Sequence, residues 1–263
     1  MMLPDKSVGF IGLGNMGFAI YKGFTGSPAS QSATVYCYDK YKAFDDITPA
    51  ELVAKCKYIL LCVKPQTVDE VLAEIAPAMT DDNVIISICA GISAEYIRAR
   101  TFEKAKVVRV MPNMPMMLGE GASAISTDDI TAPAELDYAV KIIAASCPVV
   151  EVVAPDKMNE IIAVNGSSPA FIYLFAKCFS DYAKEQGIDE RAARNLISQT
   201  IIGAGKMLVE SNESIDDLIA QVTSKGGTTI AGLEQLYKTG LVESVKAACA
   251  ATTARAYELG KNN

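Results

Sequence analysis

The chain has 263 residues, half of them hydrophobic, so it can bury the core of one large domain or of two ordinary domains. Its formal net charge is −7 and its isoelectric point is about 4.8, which argues against a nucleic-acid-binding surface. It contains no histidine, which excludes catalytic triads built on histidine and zinc sites with histidine ligands, and we expect no metal site. Any chemistry must therefore proceed without an imidazole group.

The seven cysteines are scattered without a C-x-x-C pair, mostly in apolar segments. We therefore expect buried free thiols in a reducing compartment. Residues 1–6 lead directly into a strand-like segment, which leaves no room for a signal peptide. No apolar run approaches the ~18 residues of a membrane span. These features predict a cytoplasmic protein that does not enter a membrane.

The first half of the chain alternates short apolar segments with amphipathic segments, which is typical of a parallel sheet with crossover helices. Hydrophobic residues recur at helical spacing over 67–79, and a second helix is predicted over 133–146. We predict that residues 1–154 form a Rossmann-type, doubly wound α/β domain. The predicted strands are 7–11, 34–38, 58–63, 84–88, 107–110, 121–126 and 149–153.

The second half contains long amphipathic segments and no clear strand, which predicts an all-α C-terminal domain over residues 155–263. Gly187, Gly240 and Gly260 each follow a predicted helix, where a left-handed C-cap residue is favourable. The predicted helices are 156–164, 169–186, 190–210, 215–222, 228–238 and 242–259.

A glycine-rich segment connects the first strand to a helix. Gly12, Gly14 and Gly17 have the spacing Gly-x-Gly-x-x-Gly. In a dinucleotide site the first glycine makes a tight turn, the second lets the backbone approach the pyrophosphate, and the third lets helix and strand pack closely. The phosphates would lie at the helix start, which includes Asn15 and Met16. The position of the motif favours a dinucleotide site over a plain strand-to-helix turn.

An acidic residue follows the second predicted strand. Asp39 lies 39 − 17 = 22 residues after the last glycine, where a carboxylate would bind the adenosine ribose of NAD. That carboxylate would repel the 2′-phosphate of NADP, but Lys40 and Lys42 follow at once and could offset the repulsion. The alternative is that Asp39 and Lys40 form only a solvated turn. The sequence leaves the choice between NADH and NADPH open.

Two further loops are predicted at the carboxyl edge of the sheet, where doubly wound proteins bind ligands. Val63, Lys64 and Pro65 end the third strand, and Lys64 could lie near phosphate or nicotinamide or could be an ordinary surface lysine. The segment 109–115 follows the fifth strand, and its two prolines predict a stiff loop.

The segment 222–233 places two adjacent glycines and four hydroxyl residues before a predicted helix. Backbone N–H groups could converge at this helix start without side-chain bulk, as a carboxylate receptor requires. The alternative is a flexible turn with an N-capping threonine. The residues concerned are Thr223, Ser224, Gly226, Gly227, Thr228 and Thr229.

In this order, the motifs resemble those of pyrroline-5-carboxylate reductases over nearly the whole chain, and the last motif is close to specific for that family. Met114, Ser168 and Lys225 stand where the family usually has Thr, Gly and Pro. Lys225 adds a charge and frees a backbone N–H in the proposed substrate loop. The segments that carry the resemblance are 9–17, 63–66, 109–113, 166–170 and 222–233.

The resemblance implies reduction of the cyclic imine of L-1-pyrroline-5-carboxylate to L-proline by hydride from NADPH or NADH, the final step of proline biosynthesis. It implies that the N–H groups of Gly226, Gly227 and Thr228, with Ser224 nearby, hold the substrate carboxylate. Thr229 would be the catalytic residue, because its hydroxyl would form a hydrogen bond with the ring nitrogen that orients the substrate and could relay a proton. The helical half would form a homodimer, or a larger homo-oligomer built on dimers.

The main alternative is an NAD(P) oxidoreductase of the β-hydroxyacid dehydrogenase type, which also joins a nucleotide domain to helices. Such enzymes use a catalytic lysine in the helical half. Lys177, Lys184 and Lys206 are available, but none lies in the expected glycine-rich helix motif. A dinucleotide sensor without enzymatic activity would leave the Gly-Gly-Thr-Thr segment unexplained.

Overall fold

The computed structural model describes residues 3–261. Its strands form one sheet and are β1 (Ser7–Ile11), β2 (Thr34–Tyr38), β3 (Tyr58–Leu61), β4 (Val84–Ser87), β5 (Lys106–Pro112), β6 (Ala122–Ser126) and β7 (Val149–Val152). Their order across the sheet is β2-β1-β3-β4-β5-β6-β7. β1 to β5 are parallel, β6 runs antiparallel to β5, and β7 is parallel to β6. The chain order reverses between β1 and β3, the usual place for a ligand in such a sheet.

Six helices belong to the first part of the chain. They are α1 (Asn15–Thr25), α2 (Pro49–Lys55), α3 (Val68–Ile75), α4 (Ala94–Arg100), α5 (Pro133–Ala144) and α6 (Met158–Ile161). A π-helical turn at Ile162–Gly166 follows α6. The later helices are α7 (Ser168–Glu185), α8 (Glu190–Glu210), α9 (Ile215–Gln221), α10 (Thr228–Lys238) and α11 (Leu241–Lys261).

The central strands are buried on both faces, because helices cover each side of the sheet. Phe10 and Leu60 pack with residues of α1 and α5 on one face. Ile59 and Leu61 pack with residues of α2 and α3 on the other. These two apolar layers hold the loops at the carboxyl edge in place.

The described chain divides into two compact units. One unit contains the chain up to Pro169 together with the part from Ala250 onward, and the other is Ala170–Cys249. In the second unit, α8 buries only Ala193 among its described residues, and α9 and α10 bury none. Large apolar side chains of α7 and α8 therefore remain exposed. They include Ile172, Tyr173, Leu174, Phe175, Phe179, Tyr182, Leu196, Ile202, Met207, Leu208 and Val209.

The predicted fold class is confirmed: a mostly parallel doubly wound sheet is followed by helices. One C-cap prediction is wrong, because Gly260 lies inside α11. A Cβ there would lie 2.9 Å from the carbonyl oxygen of Gly91, so this glycine permits a close approach of two backbone segments. Gly187 and Gly240 have the predicted left-handed backbone, with φ of 73° and 79°.

Two expectations about apolar segments also change. All seven cysteines are free, as expected. Cys178, however, lies on the exposed surface of α7 rather than in a core. By length and composition alone, the helical run Pro155–Glu185 could cross a membrane, contrary to the prediction from the sequence. Only 11% of its most apolar stretch is buried within the chain, as also expected for a helix that a second subunit covers.

Candidate active site

The three glycines of the turn after β1 differ in their surroundings. Gly12 has φ of 92°, which side chains rarely tolerate, and a Cβ there would lie 2.8 Å from the Cys62 carbonyl oxygen. A Cβ on Gly17 would lie 2.2 Å from the Gly12 carbonyl oxygen. A Cβ on Gly14 would meet nothing within 4 Å. Gly12 and Gly17 thus permit the turn to close, whereas Gly14 leaves open space for a ligand.

The start of α1 is suited to an anion. Gly14 is its N-cap, no side chain caps the helix, and its first turn contains no acidic residue. The first N–H groups of the helix are therefore free to bind a phosphate, and the helix dipole favours negative charge there. Asn15 is exposed at this point, and Met16 packs against the core.

A cavity of about 240 Å³ lies at the carboxyl ends of β1, β2 and β3. The backbone of the glycine turn forms one wall, and the start of α3 forms another. Six of the predicted cofactor residues line it: Gly12, Gly14, Asp39, Lys40, Val63 and Lys64. Asn15, Met16, Gly17 and Pro65 are adjacent in sequence but are not among the described lining residues. The sequence did not single out Tyr38, Tyr41, Thr67, Glu70, Val71 and Glu74, which also line it.

Asp39 ties the end of β2 to the glycine turn. Its Oδ2 accepts a hydrogen bond of 2.6 Å from the Leu13 N–H, and its Oδ1 accepts one of 2.9 Å from the Tyr41 N–H. Each carboxylate oxygen keeps a further lone pair for a ligand. Asp39 is thus held in a fixed position at the cavity rather than in a mobile solvated turn.

Both neighbouring lysines have partners. The Lys40 ammonium lies 2.9 Å from Glu70 Oε1, and this hydrogen bond and charge raise the pKa of Lys40. The Lys42 ammonium donates a hydrogen bond of 2.6 Å to the Leu13 carbonyl and lies 5.9 Å from the centroid of the Phe18 ring. Neither cation is therefore a free group beside the cavity.

The loop after β3 is held from both sides. Lys64 is the N-cap of a 3-10 turn at Pro65–Thr67, and the Thr67 hydroxyl donates a hydrogen bond of 3.0 Å to the Lys64 carbonyl. The Cys89 thiol donates to the Val63 carbonyl at 3.3 Å. Burial raises the pKa of Cys89 to about 11 and that of Cys62 well above its usual range. These thiols are neutral at physiological pH and serve packing rather than nucleophilic chemistry.

Two asparagines join β5, β6 and the π-helical turn. The Asn165 amide donates to the carbonyls of Met111 (2.8 Å) and Ala122 (3.0 Å). Its oxygen accepts a bond of 3.0 Å from the Asn113 amide, whose own oxygen accepts from the Ala122 N–H at 2.9 Å. Asn113 lies in the predicted stiff loop, but the sequence does not reveal its partner, which lies 52 residues away.

Arg109 lies in the same segment, 109–115, but lines a different part of the structure from this hydrogen-bond network. It lines a separate cavity of about 340 Å³ with Glu95, Ser126 and Asp128. Burial lowers the pKa of the guanidinium, and the nearby Glu95 charge opposes that shift. An arginine remains protonated despite such a shift, so the group is a half-buried permanent charge.

The glycine-rich loop before α10 lies in the second unit. Gly226 has φ of 72°, and Gly227 is the N-cap of α10, with no side-chain cap. The Gly227 N–H donates to the Ser224 carbonyl at 2.9 Å, so this N–H closes the turn and is not free for a ligand. Within residues 3–261, the N–H groups of Gly226 and Thr228 have no acceptor. The side chains of Ser224, Lys225, Thr228 and Thr229 are exposed.

Sequence comparisons identify relatives of both halves. Residues 155–259 match the family described as pyrroline-5-carboxylate reductase dimerisation, and residues 7–91 match NADP oxidoreductase, coenzyme F420-dependent. The chain is 36% identical to pyrroline-5-carboxylate reductase 3 of Xenopus laevis, over 97% of this chain and 96% of that protein. It is 33% identical to pyrroline-5-carboxylate reductase of Haemophilus influenzae over 98% of both chains.

Solved structures are similar over the same length. Pyrroline carboxylate reductase of Plasmodium falciparum, crystallised with NADP bound, has a TM-score of 0.87 at 26% identity and covers 98% of this chain and 99% of its own. Pyrroline-5-carboxylate reductase of Coxiella burnetii has a TM-score of 0.85 at 26% identity, covering 97% and 99%. From these similarities over the full length, the chain belongs to the pyrroline-5-carboxylate reductase family.

Proposed function

We infer that this chain is an NAD(P)H-dependent oxidoreductase that reduces L-1-pyrroline-5-carboxylate to L-proline. The observation that carries this conclusion is the uncapped start of α10, where Gly226 and Thr228 offer unpaired N–H groups in a segment flanked by hydroxyl side chains. Such a helix start suits a small carboxylate. Membership of the family supplies the identity of that carboxylate.

We propose that the cavity at the end of β1 and β3 holds the nicotinamide cofactor, NADPH or NADH. The open space at Gly14 and the uncapped start of α1 fit a pyrophosphate. When bound, the cofactor supplies the hydride. We assign the phosphates to Gly12, Gly14, Asn15, Met16 and Gly17. Asp39 and Lys40 would bind the adenosine ribose, and Val63, Lys64 and Pro65 would line the remainder of the site.

For the substrate, we propose that the N–H groups of Gly226 and Thr228, with the Ser224 hydroxyl, bind the carboxylate. Gly227 contributes by its shape, because its N–H is occupied and a Cβ there would lie 2.4 Å from Ser224 Oγ. The Thr229 hydroxyl orients the ring nitrogen. A protonated imine is strongly electrophilic, so the site needs orientation and exclusion of water more than a strong acid.

We further propose that the protein is a cytoplasmic homodimer, or a larger homo-oligomer built on dimers, and binds neither nucleic acid nor membrane. The dimerisation family matched at residues 155–259 and the exposed apolar side chains of α7 and α8 support the assembly. The net charge of −7 disfavours nucleic acid. We retain a boundary after residue 154 between the functional domains; the dimerisation match begins at residue 155, although the compact units divide after Pro169.

The test is the nicotinamide absorbance of purified protein mixed with pyrroline-5-carboxylate and either NADH or NADPH. We expect imine-dependent oxidation of the cofactor and formation of proline. A parallel reaction with a 3-hydroxyacid and oxidised cofactor addresses the alternative dehydrogenase. Turnover of the hydroxyacid without reduction of the imine would reject the proposed function. Lys177, one of the three candidate lysines for that alternative, forms an exposed ion pair with Asp181.

A further inference from the structure

We propose that the ribose end of the nucleotide cavity selects NADH over NADPH, with Asp39 and Glu70 as the determinants. The proposal rests on the assignment of this cavity to the cofactor. It concerns a point that the sequence left open, namely whether Lys40 and Lys42 offset the negative charge of Asp39. In the structure, the two lysines do not offset that negative charge.

The position of Asp39 favours a ribose with a free 2′-hydroxyl. Two backbone N–H groups fix its carboxylate at the end of β2, so it cannot swing away to make room for a phosphate. A fixed carboxylate accepts hydrogen bonds from hydroxyl groups, whereas it repels a phosphate dianion. Moving it would leave the Leu13 and Tyr41 N–H groups without their acceptor.

The two lysines that could bind a 2′-phosphate are already engaged. Glu70 holds the Lys40 ammonium at 2.9 Å, and the Leu13 carbonyl holds the Lys42 ammonium at 2.6 Å. Either lysine could therefore bind a phosphate only from its present position, next to the Glu70 carboxylate or the Leu13 carbonyl oxygen, both of which repel an anion. The restraint on Lys40 comes from α3, which begins 29 residues after Asp39, so the pattern around Asp39 does not reveal it.

The charges of the residues that line the cavity also disfavour a 2′-phosphate. The described residues that line the cavity include the carboxylates of Asp39, Glu70 and Glu74 and the ammonium groups of Lys40 and Lys64. The carboxylates outnumber the cations, and no arginine is among the described lining residues. A 2′-phosphate therefore meets more carboxylates than ammonium groups among these lining residues, and no bidentate donor.

Calorimetric titration with ADP-ribose and with 2′-phospho-ADP-ribose tests the proposal without any turnover. We expect ADP-ribose to bind roughly tenfold tighter or more at low salt. The ratio should shrink as salt is raised, because these charges are exposed and screened. NADH should likewise bind more tightly than NADPH. Equal binding of the two ligands, or tighter binding of the phosphorylated one, would overturn the proposal.

Glu70→Gln removes the charge that holds Lys40. We expect this variant to bind 2′-phospho-ADP-ribose roughly tenfold more tightly, with ADP-ribose changed less than about threefold. Glu103→Gln is the matched control: it changes the net charge equally at an exposed position outside the cavity and should leave both affinities unchanged. A similar gain in both variants would assign the effect to overall charge and reject the role of Glu70.

Asp39→Ser should weaken ADP-ribose binding and so lower further the ratio of the affinity for ADP-ribose to that for 2′-phospho-ADP-ribose. Melting curves of each variant distinguish this effect from unfolding.

Imine reduction is measured separately with both cofactors. If neither cofactor supports it while ADP-ribose still binds preferentially, the proposed reaction fails but the selectivity stands. If imine reduction is faster with NADPH at subsaturating cofactor and 2′-phospho-ADP-ribose binds as tightly as ADP-ribose, the selectivity fails and the reaction stands.

Discussion

Gly14 and Gly17 lie three residues apart in one motif, yet a methyl group would have opposite consequences at the two positions. At Gly14 it would project into open space, whereas at Gly17 it would lie 2.2 Å from the Gly12 carbonyl oxygen. Gly17 is thus required for the fold, whereas Gly14 is the glycine proposed to admit the ligand. This difference can be tested because stability and cofactor affinity are measured independently.

We predict that Gly14→Ala leaves the free energy of unfolding within about 0.5 kcal/mol of the parent but weakens cofactor binding. Gly17→Ala should instead lower the unfolding free energy by roughly 1–3 kcal/mol, because helix and strand must move apart. Chemical denaturation and cofactor titration of both variants check this. A Gly14→Ala variant that binds cofactor normally would exclude close approach of a ligand at that glycine.

Thr229→Ala should lower kcat by roughly tenfold or more, the value of a lost hydrogen bond to a charged group, while cofactor affinity stays unchanged. Thr229→Ser is the control, because it keeps the hydroxyl and should retain most of the activity. Steady-state kinetics with saturating cofactor, together with cofactor titration, separate the two effects. Equal losses of turnover and cofactor affinity would contradict the orienting role of Thr229.

At the residue scale, spacing alone located the glycine turn and Asp39, because both are set by the local geometry of one strand and the next. Glu70 was not predictable in this way. Its contact with Lys40 joins residues 30 positions apart and exists only because α3 packs beside β2 and β3. The sequence also did not predict that the Gly227 N–H donates to the Ser224 carbonyl, because a turn hydrogen bond depends on backbone angles.

The π-helical turn at Ile162–Gly166 is tied to the sheet by Asn165. We predict that Asn165→Ala lowers the free energy of unfolding by roughly 1–3 kcal/mol, because the Met111 carbonyl and the Asn113 amide lose their partner. Asn165→Asp should also destabilise the protein, since a carboxylate cannot donate to the carbonyls. Asn212→Ala is the control, at an exposed loop position, and should be neutral. Denaturant unfolding of the three variants tests this connection.

Helices α3 and α4 are joined by a polar cluster that should respond to pH. The Tyr96 hydroxyl donates to Asp69 at 2.5 Å, and Arg100 Nε lies 2.6 Å from the same carboxylate. These contacts hold the pKa of Asp69 below its ordinary value of 3.8. A depressed pKa in the folded state means that the stabilisation is present above pH 3.8 and is lost as the pH falls further.

Accordingly, Asp69→Asn should be slightly less stable than the parent above pH 3.8, and the difference should vanish as the pH falls below that value. The effect is small because the pair is exposed to solvent. Unfolding curves across the acid range measure it, with the exposed Asp81→Asn as control. A difference that persists at the lowest pH would show that Asp69 acts by packing rather than by charge.

Among the elements, the alternation of apolar and amphipathic segments predicted every strand of the sheet, since buried strands differ in composition from helices. The antiparallel direction of β6 was not predictable, because the same apolar pattern fits either direction. The π-helical turn was also missed within the predicted helix 156–164. Its hydrogen bonds to the end of β5 and the start of β6 are tertiary contacts, which helical periodicity does not record.

For the molecule as a whole, Leu174 offers a test of assembly. It is 62% exposed in α7. We predict that Leu174→Asp shifts the protein from an oligomer towards the 28.0 kDa single chain and lowers its activity, because a charge cannot be buried in an apolar interface without a partner. Light scattering after gel filtration measures the mass. Ile130→Asp, an exposed apolar position in the first unit, should leave the mass unchanged.

The sequence has nearly continuous apolar faces at 169–179 and 196–208, and this pattern fits either an internal core or a subunit interface. Hydrophobic periodicity reports that a face is covered and not which chain covers it. The exposure of Leu174 and Leu196 within the single chain favours the interface. The family resemblance had indicated the same arrangement, and it covered nearly the whole chain.

The sparse burial of α8 links folding to the amount of protein present. A helix of 21 residues with one buried residue gains little of the packing that stabilises helices in water. We therefore expect its folding to be coupled to association with a second subunit, so that mass action governs both. Dilution should lower the temperature at which these helices melt, while the sheet is affected less. Cells that produce little of the enzyme would expose a larger fraction of it to proteolysis.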